Sequence, residues 1–233
     1  MNDAIIRQPI RTAVRERVIQ RIVDGTLAPS AGINLASVAA GLMVSPTPLR
    51  EALIELERDG FVQSSPGRGF FVRPYEAREV EETYPLIWTL EVLALRSSPV
   101  PGTNTLRRLQ QVNQELRAAV DPGRALELDT LWHATLLETC SNNLLMDILR
   151  SLKQRAQRYE FAYLKESGHK VSPEQHAGVV RALRAGDIDG AAKLLEENWR
   201  IGPRFLVPWL KDREQVARPQ ASRAVETRSR VRR

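Results

Sequence analysis

Residues 45–72 leave the chain few choices: a serine, two early prolines, a leucine stripe, a glycine stop and a tight hairpin follow in that order. Ser45 is a residue type that caps helix N-termini. Pro46 then takes the first helical position, where a missing N–H costs nothing, and Pro48 is still within the first turn. At helical spacing Leu49, Ala52, Leu53 and Leu56 fall on one side, while Thr47, Arg50 and Glu51 fall on the other. Gly60 ends the pattern. Phe61-Val62 and Phe70 to Val72 read as short strands around a Pro66 to Gly69 turn, with Arg68 at its tip. A helix buried along one side, polar on the other and followed by such a hairpin is the pattern of a winged helix-turn-helix.

The flanking sequence completes that unit. Val14, Val18, Ile19 and Ile22 recur at helical spacing within Arg11 to Asp24, and Gly25 supplies a stop. Leu27 to Gly32 reads as a turn, and Leu35 to Leu42 as a short helix capped by Asn34. After Pro74 the spacing predicts helices only, near 76–97, 104–119, 123–139, 143–166, 173–185 and 187–200. The breaks between them are short, such as Asp121-Pro122, Ser172-Pro173 and Gly186-Asp187, which favours an antiparallel bundle. From about 212 the chain is Arg-rich with almost no periodic apolar residue, the composition of a disordered tail. The predicted fold is mainly α. A winged helix-turn-helix with a small β-wing spans 1–74, an all-α antiparallel helical bundle spans 75–211, and a basic disordered tail spans 212–233.

The net charge of +6 is unevenly spread. Residues 1–75 hold 9 basic and 7 acidic groups, residues 76–210 hold 17 and 18, and residues 211–233 hold 8 and 3. The basic character therefore belongs mostly to the tail, not to the folded part. One cysteine, Cys140, gives no disulfide framework and fits a reducing cytoplasm. No apolar run has the length of a signal peptide or a membrane span, so cytoplasmic location and no membrane partner are expected.

The outward groups of the third helix, Thr47 and Arg50, suit phosphates and base edges in a major groove, where arginine can fork onto guanine. Arg68 on the hairpin could reach the adjacent minor groove or backbone. Here the chain resembles the GntR family of bacterial transcription regulators. Val44-Ser45-x-Thr47-Pro48-Leu49-Arg50-Glu51-Ala52-Leu53 and Pro66-Gly67-Arg68-Gly69-Phe70-Phe71-Val72 are both similar to its signature, over roughly residues 10–74. The resemblance implies DNA contacts from Ser45, Thr47, Arg50 and the wing residues Gly67, Arg68 and Gly69. Two positions depart from the family pattern: Pro46, and Ala36, where arginine is usual or frequent.

The helical remainder resembles the FCD ligand-binding domain of the FadR-type subgroup. That resemblance implies a metal site built on an Asp-x-x-x-His pair and two further histidines. Asp129 and His133 match the pair, four residues apart on one helix face with Leu126, Leu136 and Leu137. His176 takes the third position. The fourth falls on Asn198, so zinc, nickel or manganese would be held by Asp129, His133 and His176 with water or an organic acid. In the simpler reading Asp129 and His133 only hydrogen-bond each other. An arginine common on the first helix of that domain is missing. The matching stretch offers Tyr84 and Trp88 as an aromatic wall, with Asn198 as a further effector contact. Arg150, Arg155 and Arg158 could replace the missing charge or form a solvated face. His169 is assigned no role.

These features predict a homodimeric regulator that binds a double-stranded inverted-repeat operator and releases it when a small-molecule effector, an organic acid or related metabolite, occupies the bundle. Two alternatives use the same residues differently. One is a metal-dependent enzyme centred on Asp129, His133 and His176. The other is a non-specific nucleic-acid binder driven by the basic tail.

Overall fold

The computed structural model describes the backbone of residues 3–168 and 173–230, and the side chains of residues 10–168 and 173–215. Three helices, α1 (Asp3–Val23), α2 (Leu35–Gly41) and α3 (Pro46–Arg58), precede a hairpin of β1 (Val62–Ser65) and β2 (Gly69–Val72). Val62 pairs with Val72 and Ser65 with Gly69 in an antiparallel ladder. The end of the expected Leu27 to Gly32 turn, with Ile33 after it, also joins the ladder: Ile33 N–H donates to Phe70 O and Val72 N–H to Ala31 O. The edge of β2 is thereby paired instead of open.

The leucine stripe of α3 is buried as its spacing predicts, with Leu49, Ala52, Leu53 and Leu56 closed off against Val18, Ile19 and Ile22 of α1. Arg15 reaches Asp59 at 2.6 Å and Arg11 reaches Glu55 at 3.0 Å, which fixes α1 along α3. Asn34 caps α2, its side chain accepting from Ser37 N–H at 3.0 Å. Ser45 stands at the N-cap of α3 but makes no side-chain capping bond. Pro48 removes one of the two usual donors. A capping hydroxyl accepts from the second or third helical N–H, and the third residue here is a proline without one.

Among the described residues six helices follow: α4 (Ala77–Arg96), α5 (Thr103–Ala118), α6 (Pro122–Leu136), α7 (Asn143–Ser167), α8 (Pro173–Arg184) and α9 (Ile188–Arg230). They form one core in which α4 lies along α9 and α7, α5 along α6 and α8, and α8 along α9. Helix α9 overruns the expected end at 200. Its buried stripe of Ala192, Leu195 and Trp199 continues through Leu206 and Leu210, so packing outweighs the hydrogen bond lost at Pro203. The segment expected to be a disordered tail from 212 is helical backbone as far as Arg230. Its alanine, arginine, glutamate and glutamine are good helix formers even without an apolar stripe. His169 and residues 231–233 lie outside the described residues.

The two cores meet through α6 and α7. Leu126 is buried within the core of the N-terminal helices, and Phe161 packs against it. Arg158, 1% exposed, donates to the carbonyls of Arg73 and Pro74 and holds Glu79 at 2.5 Å. Arg155 binds the other oxygen of Glu79. Its guanidinium covers Gly60, where an added Cβ would stand 3.2 Å from Cζ and where φ is +79°. A side chain at 60 would meet both strain and that guanidinium.

Candidate functional site

On the reading head, burial sorts the residues as the spacing predicts. Ser45, Thr47, Arg50 and Glu51 are exposed, as are Gly67, Arg68 and Gly69 of the wing. Arg68 is not extended: its Nε donates to Ser65 Oγ at 3.0 Å and its guanidinium lies 5.8 Å from the Phe71 ring centroid. The wing turn is closed by Arg68 N–H donating to Ser65 O at 2.9 Å, and its tightness comes from Gly67 and Gly69, both at positive φ.

The second cluster is buried in the helical bundle. Asp129 and His133 project from α6 and His176 from α8, and one ligand atom from each lies within 4.8 Å of the others. His176 Nε2 is 3.5 Å and His133 Nε2 is 3.9 Å from the Asp129 carboxylate. At 3.9 Å, Asp129 and His133 do not simply hydrogen-bond each other, so that reading fails on distance. Each imidazole is instead oriented from behind. Glu91 Oε2 holds His133 Nδ1 at 2.9 Å, and Asn113 Oδ1 holds His176 Nδ1 at 3.2 Å. Asn113 is itself fixed by donating to Pro173 O at 2.9 Å. Nδ1 of each ring is then the donor, which turns an Nε2 lone pair towards Asp129.

His176 Nε2 is buried and has no hydrogen-bond partner. Burial, and the nearby His133, push the His176 pKa well below the usual histidine value, so the ring is neutral. Burial raises that of Asp129 despite His133 and Lys153. A buried lone pair without a donor beside a desolvated carboxylate is a set of groups short of a cation. Two donors each about 2.1 Å from one ion stand at most about 4.2 Å apart, which both histidine–carboxylate distances satisfy. Two imidazoles and a carboxylate suit zinc, nickel or manganese.

Around this trio the rings are tightly arranged. Trp132 stacks on His176 with centroids 3.8 Å apart and planes 5° from parallel. Trp199 lies 4.8 Å from the His133 ring, and its indole N–H donates to Glu91. Lys153 pairs with the other oxygen of Glu91. Burial opposes ionisation of Glu91, but His133 and Lys153 hold its pKa at about 2.

Asp129 and His133 line a cavity together with Tyr84, Glu160, Asn198 and Trp199, and His176 stands behind them, outside its lining. Asn198 and Tyr84 are therefore brought to one space with the Asp129–His133 pair. Trp88 is not among the lining residues. It sits about 40° round the helix from Tyr84, half-buried, with the Arg200 guanidinium 4.9 Å from its ring centroid. Arg150, Arg155 and Arg158 do not line the cavity either: Arg150 pairs with Asp147 on the surface, and the other two serve Glu79.

Sequence reasoning missed Glu91, Asn113, Lys153 and Glu160. Glu91 and Lys153 had a visible signal, each four residues after an apolar residue of a buried stripe, Ile87 and Leu149. Asn113 likewise falls in the stripe of Leu106, Leu109 and Leu116. Glu160 accepts from Tyr84 O–H at 2.6 Å, and burial pushes its carboxyl up to about 7.

Comparison with known proteins agrees with this architecture. The pattern described as bacterial regulatory proteins, gntR family, matches residues 10–72, and that of the FCD domain matches residues 82–200. The Nta operon transcriptional regulator of Aminobacter aminovorans is 32% identical over 66% of this chain and 74% of its own length. The HTH-type transcriptional repressor RspR of Escherichia coli K12 is 24% identical over 82% of this chain and 86% of its own. Among solved structures, Escherichia coli McbR/YncC superposes with a TM-score of 0.70 over 85% of this chain and 97% of its own, at 21% identity, a likeness of fold.

Proposed function

The chain belongs to the gntR family of bacterial regulatory proteins and carries an FCD domain, and from that premise we propose how this transcription regulator reads DNA and senses its effector. Residues 1–74 read the operator and residues 75–211 sense the effector and dimerise. The observation that carries the reading is the division of α3, with four apolar residues fully closed off and Thr47 and Arg50 exposed at its start. Ser45, Thr47 and Arg50 contact the major groove, while Gly67, Arg68 and Gly69 bring the wing to the neighbouring backbone. One such head is a weak reader, so the working form is a homodimer on an inverted repeat. It acts in the cytoplasm, beside the DNA that it regulates.

The sensor is the cavity beside Asp129, His133 and His176. A divalent ion held by these three would supply a cationic anchor for a carboxylate of the effector. The orphaned His176 Nε2 supports that assignment. Asn198 and Tyr84 line the same space and bind the rest of the molecule. The route to the DNA head is short. Leu126 lines the cavity and is also buried in the core of the N-terminal unit. Helix α7 carries Glu160 at the cavity and Arg155 and Arg158 at the junction with Gly60, Arg73 and Pro74. An effector with different affinity for two settings of α6 and α7 therefore shifts the orientation of the heads. Occupancy weakens operator binding, which makes the protein a repressor.

The two acids nearest the Asp129–His133 pair in sequence are engaged elsewhere. Glu127 pairs with Arg124, and Glu138 with Arg108 and Thr105, so neither offers a base to the trio. Selection from random duplex DNA tests the reading. The protein enriches one inverted repeat, and Arg50→Ala loses that preference while remaining dimeric. Enrichment of no motif, or loss of all binding on deletion of residues 212–233, would favour the tail-driven binder instead.

A further inference from the structure

The corner of the cavity that holds Tyr84 and Glu160 has its own chemistry. Tyr84 of α4 donates to Glu160 of α7 at 2.6 Å. The ring of Tyr84 reaches that position only because residue 202 of α9 is glycine: an added Cβ would stand 2.9 Å from Tyr84 Cε1. Three helices thus build one acidic corner. Aromatic rings surround it. Trp199 meets Tyr84 edge-on at 6.0 Å, Tyr163 and Phe205 are 6.3 Å apart, and all four line the cavity.

The lining holds two carboxylates, Asp129 and Glu160, and among the described residues neither lysine nor arginine contributes to it. The nearby cation, Lys153, is committed to Glu91 and to the Trp199 ring, 5.4 Å from its centroid. An anionic ligand group at this corner would face the Glu160 carboxyl, with no lysine or arginine in the lining to offset it. A protonated amine would instead gain a charge-assisted bond to Glu160 and the negative faces of the surrounding rings.

We infer that Glu160, set by Tyr84 and Gly202 and walled by Tyr163, Trp199 and Phe205, is the specificity-determining subsite for an ammonium group of the effector. The inference rests on the cavity being the effector site and adds the class of ligand: an amine-bearing metabolite, not a simple organic or sugar acid.

The test uses full-length dimeric protein and three matched probes, n-butylammonium, n-butanol and butyrate, at equal ionic strength, with thermal stability and tryptophan fluorescence as readouts. Butylammonium is expected to bind best, and Glu160→Gln to weaken it by about tenfold or more while leaving butanol unchanged. Equal binding of butanol, or an undiminished butylammonium response in Glu160→Gln, overturns the assignment. Tyr84→Phe keeps the carboxylate and is the second variant. It retains the preference for butylammonium over butyrate, and losing that preference also overturns the subsite. Operator affinity measured in the same samples separates the two levels. Glu160-dependent butylammonium binding that leaves operator affinity unchanged upholds the subsite and contradicts the effector reading. Operator release by butyrate, equal in Glu160→Gln, does the reverse.

Discussion

The reading head and the helical bundle both display arginine, acid and hydroxyl groups, and they use them in opposite ways. On α3, Thr47 and Arg50 stand in water above a closed leucine stripe, so their groups are available and contribute little to stability. In the bundle, Glu79, Glu91, His133, Arg158 and His176 are buried, and each depends on partners supplied by other helices. Exposed polar groups can be exchanged at the cost of recognition alone. Buried ones cannot be exchanged without disturbing the fold, which is what couples a ligand to the whole domain.

Breaking the comparison at its strongest point should give the largest effect. Glu79→Ala strands Arg158, which is 1% exposed, and should cost about 3–5 kcal/mol in denaturant unfolding. A loss below about 1 kcal/mol would mean that the buried network is no more demanding than a surface pair. Acidity should probe the same group. Burial raises the pKa of Glu79, but Arg158, Tyr159 and Arg155 bring it below the usual 4.5. A lowered folded pKa stabilises fully above the unfolded value and loses that contribution as pH falls through the folded one. Stability below pH 4.5 should therefore fall less steeply in Glu79→Gln than in the wild type. Glu160, raised to about 7, has the opposite sign: it favours the fold at low pH and loses that contribution as pH rises towards and through 7. Glu160→Gln should flatten that limb.

On the head the expected losses are smaller and of another kind. Arg50→Ala should cost about 1–3 kcal/mol of specific operator binding and less than about 0.5 kcal/mol of stability. An unfolding curve that moves as far as the binding curve would remove the distinction between the two regions. Asn34→Ala deletes the cap of α2 and should cost about 1 kcal/mol of stability with little change in sequence preference.

The same contrast decides what the sequence reveals. The stripe of α3, the cap at Asn34 and the glycine-bounded wing are local patterns, and the structure carries each of them. The Ser45 cap shows the limit of local reading: the residue stands at the N-cap, yet its hydroxyl makes no capping bond, and Pro48 offers no N–H three residues on. Asp129 and His133 were legible together because four residues on one helix share a face. Their orienting partners were not, since Glu91 and Asn113 approach from 42 and 63 residues away. Tyr84 and Trp88 look equivalent at that spacing, yet only Tyr84 reaches the cavity, because neighbouring helices decide which edge of a helix is covered. The end of α9 was misjudged for a related reason. Pro203 argues locally for a stop, and the buried Leu206 and Leu210 beyond it argue for continuation only once α4 is there to receive them.

The central claim, that the buried trio is a sensory metal centre, is tested most directly by the metal content of tag-free protein purified without chelator, with His133→Ala as control. The wild type should carry about one divalent ion per chain and the variant almost none. No ion in either protein, even after incubation with zinc, nickel and manganese, would contradict it.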